Sequence, residues 1–464
     1  MKEIDFLIVY EHKNREFESI TLLKYELARR GYTVEFFGFD EFHNKMKRKS
    51  LFDNVKIAVM PSLYKDENIL TFVYGVTGKA KNIVNLRWEQ IFPNSSEQNI
   101  EYFIYPKANA KYAYHCCWGQ KPYEMLREDR INTNNLFITG PIQMDFLRKE
   151  LKGIYLDKKT VFKKYDVENE KTCILFTSSF ATSSWNKWEL DWLYSEYEGE
   201  EKEYIKGYVK REKMSRDLVV EWIKKLAETK DCTIIYRPHP AEVKTELTEE
   251  LSNYKNIKVI NKENIKQWIL VCDQVYTWNS TSITEAYIAG IPCAVLRPVE
   301  LEYSDEYQIY EGLPRITDFK QFSEHFDSNN IEASSCFIDN KKLYSYISVD
   351  SQKPSYIRTA DVLEQALKDD YYFPWNNFDE KDLNTIYNSL FKDNFKDLLA
   401  IILVKPFYNS KFMKRVYGKF FGKLYDRYCK MIRSKTPPIT NEEFAQMEER
   451  IATVLSKNQK NIGE

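Results

Sequence analysis

Short apolar runs recur along the chain, each closed by polar or small residues, with amphipathic stretches of helical period between them. Ile4–Tyr10 (IDFLIVY) is apolar at nearly every position, the pattern of a parallel strand buried on both faces. Residues 19–30 carry the helical period, and Gly31 stands where a helix would stop. Further strands are predicted over 32–39, Val55–Met60, 82–88, 112–118 and 136–139, the last running into Gly140-Pro141. This alternation predicts a doubly wound parallel sheet. A charged, helical bridge at 149–171 leads into a second series. Its strands are Thr172–Thr177, Cys232–Arg237, 257–260, 274–278 and 292–296, with helices at 217–229 and 282–289.

The expectation is an α/β protein of two Rossmann-like, doubly wound domains with a ligand cleft between them. The N-terminal, acceptor-side domain spans 1–150, the second 151–375, and a helical, basic and aromatic extension 376–464. Residues 185–213 are rich in Trp, Tyr, Glu and Lys and interrupt the alternation. They read as a pair of surface helices, with a lid over the cleft as the alternative.

Length agrees, since 464 residues exceed one ordinary core. With 43% apolar and 30% charged residues the chain is globular rather than disordered. A net charge of -1 gives no footprint of a nucleic-acid partner. Only 14 glycines are present, which argues against a Gly-rich phosphate loop as the main ligand device. The eight cysteines include no CxxC pair, the pattern of reduced thiols in a cytoplasmic protein. The first residues lack the features of a secretory leader. The longest apolar run near the end, 398–404, is far short of the ~20 residues that a spanning helix needs.

Two motifs in the second series carry chemistry. Strand Cys232–Arg237 runs into Pro238-His239-Pro240, where two prolines restrict the backbone around one histidine. The imidazole can hydrogen-bond a phosphate oxygen, and Arg237 can add charge. A tight turn with a satisfied histidine is the alternative. Strand 274–278 ends in Asn279-Ser280-Thr281-Ser282, and a helix follows at once. Ser and Thr cap helices, and exposed N–H groups at a helix start attract anions. Glu285, one turn in, can accept ribose hydroxyls or simply act as a first-turn carboxylate. His239 and Ser280 are separated by one β-α unit, so both motifs should reach the same sheet edge, where ligands bind in open α/β sheets.

An His-Pro turn followed by a Ser/Thr cluster with Glu285-Ala286 and Gly290-Ile291-Pro292 resembles bacterial surface-polysaccharide transferases of GT-B type. These are the capsule and lipopolysaccharide enzymes that use CMP-activated Kdo or sialic-type sugars. The CDP-glycerol glycerophosphotransferases of teichoic acid synthesis carry a similar pair. The resemblance covers mainly residues 172–300. It implies that His239 and Ser280, Thr281 and Ser282 hold the donor phosphate and that Glu285 or its neighbours contact the ribose. Ser178 and Ser179, after strand Thr172–Thr177, resemble a third donor-contacting loop. The Asp-Asp-Gly or Asp-Glu-Gly base motif of some sialyltransferases is missing.

A base is expected from the N-terminal domain, beside the acceptor hydroxyl. Glu89, just after strand 82–88, ranks first, with an ion pair to Arg87 or another nearby base as its structural alternative. Glu11, next to His12 after the first strand, ranks second, while His115 lies inside a strand and reads as core. No metal site is evident, and no cofactor is expected, because the nucleotide-sugar is the substrate. Residues 405–435 hold ten basic side chains against the single Asp426, with aromatics at helical spacing. Such a helix can lie on an anionic membrane surface, here the inner face, or pack its aromatics on the body.

The leading reading is a glycosyltransferase that moves a CMP-linked acidic sugar to a growing surface polysaccharide or lipid-linked glycan. The alternatives are a CDP-polyol phosphotransferase, a nucleotide-sugar epimerase and a non-catalytic nucleotide-binding partner in an assembly complex.

Overall fold

The computed structural model describes residues 3–39, 52, 54–95, 105–185, 187–239, 242, 246–328, 340–350, 352–381, 383, 396, 399–400, 402–404, 424, 428 and 439–462. Two six-stranded, wholly parallel sheets organise the chain. The first has the order β2-β1-β3-β4-β5-β6 and the second β12-β11-β10-β7-β8-β9. In both, strand order reverses beside the first strand of the series, as it does in doubly wound sheets. The first sheet comprises β1 (Ile4–Tyr10), β2 (Val34–Gly38), β3 (Val55–Met60), β4 (Asn82–Asn85), β5 (Tyr114–Cys117) and β6 (Leu136–Ile138). The second comprises β7 (Thr172–Thr177), β8 (Cys232–Arg237), β9 (Ile257–Val259), β10 (Gln274–Thr277), β11 (Cys293–Leu296) and β12 (Arg315–Ile316).

By contact the chain divides into two units. The first is Met1–Gln90, Ile100–Asp145 and Tyr344–Glu464; the second is Ile91–Asn99 and Phe146–Leu343. The chain thus returns to the first unit at Tyr344, whereas the sequence reading draws its boundary after residue 375. The cause is a helix, Ser355–Lys368, whose buried face packs on the helix after β1 and on β4.

Eight helices matter here: α1 (Lys13–Arg29), α2 (Gln120–Glu128), α3 (Lys187–Ser195), α4 (Gly199–Thr229), α5 (Ile265–Ile269), α6 (Ser282–Ile288), α7 (Ser355–Lys368) and α8 (Asn441–Ile462). In the first unit, Asp145 accepts from the Ser355 and Tyr356 N–H groups at 3.0 and 2.7 Å, and so caps α7. Arg30, after α1, bonds Glu364 and Asp361 of α7 at 2.8 and 2.9 Å. Thr440 and Glu443 exchange side-chain to backbone bonds as a capping box that starts α8. Phe444 of α8 stacks on Phe36 at 4.0 Å.

In the second unit, α4 is one helix of 31 residues. It joins the predicted helix at 217–229 to much of the segment 185–213. Trp278, Tyr236, Phe176 and Ile223 lie in the core between this helix and the sheet. Among the described residues no helix is long and apolar enough to cross a membrane. Of the basic segment 405–435 only Leu424 and Tyr428 are described, so the predicted surface helix lies outside the described residues.

Candidate functional site

All strands of the second sheet are parallel, so the loops after β11, β10, β7 and β8 leave its carboxyl edge side by side. Those loops begin with Arg297, Trp278, Ser178 and Pro238. Hydrogen bonds tie the inner three together. The Asn279 N–H donates to Ser179 Oγ at 3.0 Å, joining the loops after β10 and β7. The Ser178 N–H donates to the Arg237 carbonyl at 2.9 Å, joining the loop after β7 to β8. Four predicted residues, His239, Ser179, Ser280 and Ser282, therefore sit on adjacent, mutually bonded loops.

Ser280 and Ser282 form a hydroxyl chain. Ser282 Oγ donates to Thr177 Oγ1 at 3.0 Å, and Thr177 donates to the Tyr276 carbonyl at 3.4 Å. Ser280 lies 2.9 Å from Ser282 and supplies its proton there, because the Ser282 proton is already committed. Rotating Ser280 toward a phosphate gives up its bonds with Ser282, including the one accepted from the Ser282 N–H at 3.3 Å, and leaves the two bonds below intact. Thr281 is the N-cap of α6, yet its side chain makes no capping bond. The helix has only seven residues. Of the hydroxyls read as caps from the sequence, Ser280 accepts from the Ser282 N–H at 3.3 Å, and Ser282 is instead committed to the chain down to Thr177.

His239 is half-buried, and burial lowers its pKa, so the imidazole is neutral near pH 7. The His239 backbone N–H donates to Glu242 Oε2 at 3.2 Å. Pro240 lies outside the described residues. Arg237 gives Nη1 to the Lys262 carbonyl at 2.8 Å and Nη2 to that of Glu263 at 2.7 Å. Its guanidinium thus joins β8 to the segment after β9, and burial lowers its pKa to about 10. Ser178 donates its one proton to Glu242 at 2.5 Å, which makes it a loop anchor. Glu285 is buried against Lys266 of α5, at 3.2 Å.

Sequence reasoning missed Glu242, Lys266, Thr177 and Arg297. Glu242 stands three residues beyond His239, and nothing in that spacing marks a carboxylate that bonds Ser178, Tyr236 and His239. Arg297 is almost wholly buried, ion-paired with Glu306 at 3.2 Å and seated over the Trp278 ring at 5.5 Å.

In the first unit, Glu11 and Glu89 follow β1 and β4 and share one cation. Arg15 of α1 pairs with Glu89 and lies 3.6 Å from Glu11. Of the partners read from sequence for Glu89, Arg87 or another nearby base, the base that pairs with it is Arg15, while Arg87 is buried and directs Nη1 to Cys117 Sγ at 3.8 Å. Arg15 also holds the fully buried Glu16 at 2.7 Å. Glu16 in turn accepts from the Glu11 and His12 N–H groups at 2.9 and 3.2 Å, which fixes the β1–α1 turn. Burial pushes the Glu16 carboxyl up, and the Arg15 charge opposes that. His12 is about half exposed, 3.8 Å from Glu11. Among the described residues no group of three or more His, Cys, Asp or Glu is arranged to hold a metal ion.

No protein-family model matches the chain, and no curated protein does. Solved structures do match. One is the wall teichoic acid polymerase TagF, at 13% identity over 79% of this chain and 90% of that one, with a TM-score of 0.51. Another TagF structure, soaked with CDPG, matches at 13% identity over 78% and 88%, with a TM-score of 0.50. The UDP-GlcNAc 2-epimerase of Neisseria meningitidis, bound to UDP-GlcNAc, matches at 12% identity over 79% and 100%, with a TM-score of 0.47. At these identities the likeness is one of fold, and the fold is of GT-B type.

Proposed function

We propose that the chain is a glycosyltransferase that takes a nucleotide-activated donor, a CMP-linked acidic sugar such as Kdo first among them. Its acceptor is a growing surface glycan or glycolipid on the cytoplasmic side, and its mechanism needs no metal. The observation that carries this reading is the bonded set of loops bearing His239, Ser179, Ser280 and Ser282 at one sheet edge. Neutral His239 and the Ser280 hydroxyl supply hydrogen bonds to the donor phosphate, and such donors stabilise the departing nucleotide. In the first unit, Glu89 is the proposed base, with Glu11 second, and Arg15 orients both carboxylates.

A second reading is transfer of a polyol phosphate from a CDP-linked donor. The likeness to TagF favours it, with the same donor loops in use. Calorimetric titration with CMP, CDP, UDP and GDP tests the donor site, and binding of none of them would remove both readings. Comparing turnover of CMP-Kdo with that of CDP-glycerol separates the two.

A further inference from the structure

The segment 185–213 reads from sequence as an excursion from the fold, yet the amino-terminal half of α4 reaches loops at the carboxyl edge of the second sheet. Glu212, on that helix, is about 1% exposed. Its Oε2 accepts from Thr182 Oγ1, and its Oε1 accepts from the Ser183 N–H at 2.8 Å. One turn further on, Arg216 donates to the Ser183 carbonyl at 2.6 Å. The other end of the same loop is held by Glu242, which accepts from Ser178 Oγ at 2.5 Å, Tyr236 Oη at 2.9 Å and the His239 N–H at 3.2 Å. Two carboxylates from separate elements thus grip the residues on either side of Ser179. Ser179 in turn accepts from Asn279, beside Ser280.

We propose that Glu212 and Glu242 are positioning residues of the donor site, holding the loop after β7 so that Ser179 aligns with the loops after β8 and β10 for a nucleotide phosphate. A loop of short polar side chains has many conformations, and ordering it during ligand binding would weaken the affinity. Carboxylates that accept several bonds, Glu212 fully buried and Glu242 partly so, remove that ordering step in advance. This accounts for α4 extending to Gly199 instead of beginning near residue 217, since the extension carries Glu212. Tyr204 and Arg211 anchor the same half-helix on Ser304, Asp305 and Glu302. The proposal rests on the donor reading above.

The test uses the full chain. Amide hydrogen exchange over residues 178–184 and calorimetric binding of CMP and CDP are measured for the wild type, Glu212→Ala, Glu212→Gln, Thr182→Val and Glu242→Gln. We expect Glu212→Ala to speed exchange at Ser183 by at least about tenfold and to weaken nucleotide binding by about tenfold. Glu212→Gln keeps an acceptor for Ser183 and should return binding to within about threefold of wild type. Thr182→Val removes one bond from the loop side without disturbing the helix, and should weaken binding by a smaller factor. Unchanged exchange and affinity in both Glu212→Ala and Thr182→Val would overturn the role of Glu212, and the same result in Glu242→Gln that of Glu242. If the wild type binds neither nucleotide, the donor reading falls, and the exchange data alone decide whether the carboxylates order this loop.

Discussion

Glu285 and Lys266 form an ion pair of 3.2 Å with both side chains almost wholly inside the second unit. A carboxylate in that setting is balanced by its cation, and its oxygens are not simply waiting for a ribose. Lys266→Met leaves the Glu285 charge without its partner. We expect roughly 3–5 kcal/mol of destabilisation in chemical denaturation. By contrast, Lys158→Met removes the exposed pair with Asp273 and should cost no more than about 1 kcal/mol. Equal losses for the two variants would show that the Glu285 pair is not the stronger one.

Glu89 makes its close contact with Arg15, a residue of the helix after β1. If Glu89 is the base, Glu89→Gln should lower turnover by about 10²–10⁴-fold while nucleotide affinity stays within about twofold. Glu11→Gln, which leaves the Arg15–Glu89 pair in place, should lower turnover less. Steady-state rates and calorimetric titration of the same preparations decide this. Wild-type turnover in Glu89→Gln would exclude Glu89 as base.

His115 is fully buried in β5, with Nε2 donating to the Ala110 carbonyl at 3.1 Å and Nδ1 accepting from Asn85 at 3.3 Å. Burial holds its pKa down at about 3, and the nearby Arg87 charge adds to the effect. The folded value lies below the unfolded value of about 6.5. The stability it contributes is therefore present above pH 6.5 and is lost as pH falls toward 3. At pH 5 that loss is about 2 kcal/mol relative to pH 7. In His115→Gln the overall stability is lower, but the dependence on pH between 7 and 5 should be flatter by this amount. Parallel curves for the two proteins would contradict the assignment.

Gly140 has φ of 74°, and a methyl group there would meet the Ser348 carbonyl oxygen at 2.4 Å. Gly140→Ala should therefore combine backbone strain with a clash against backbone, at roughly 2–4 kcal/mol. Gly78 shares a positive φ of 69° but has open space around its Cβ direction. Gly78→Ala should cost only about 1 kcal/mol, from strain alone. Thermal unfolding of both variants measures the difference.

Strand positions were legible because a buried parallel strand must be apolar on both faces. Ile4–Tyr10, Val55–Met60, Thr172–Thr177 and Cys232–Arg237 have the predicted bounds. The run predicted over 82–88 stops at Asn85, since Arg87 takes φ of 52° and turns the chain. No apolar pattern encodes that turn. The 31-residue helix was harder to read, because residues 199–213 are mostly polar and are held by Tyr204, Arg211 and Glu212 rather than by a broad apolar face. The hydroxyl cluster and His239 were visible as residue types at strand ends. Their partners were not: the half-buried Glu242 and the buried Glu212 and Lys266 are ordinary surface residues in a sequence, and only the tertiary fold brings each the groups that make its position tolerable.

The return of the chain to its first unit at Tyr344 sets an order of events during synthesis. The strands of the first sheet are all made by residue 138, but α7, which Asp145 caps and Arg30 grips, begins only at Ser355. At roughly 5–20 residues per second, that sheet waits on the order of 10–40 s for its covering helix. The second unit has almost its whole sequence available in the meantime. The domain begun first is thus the one finished last, and the apolar surface that α7 covers has no cover of its own until then.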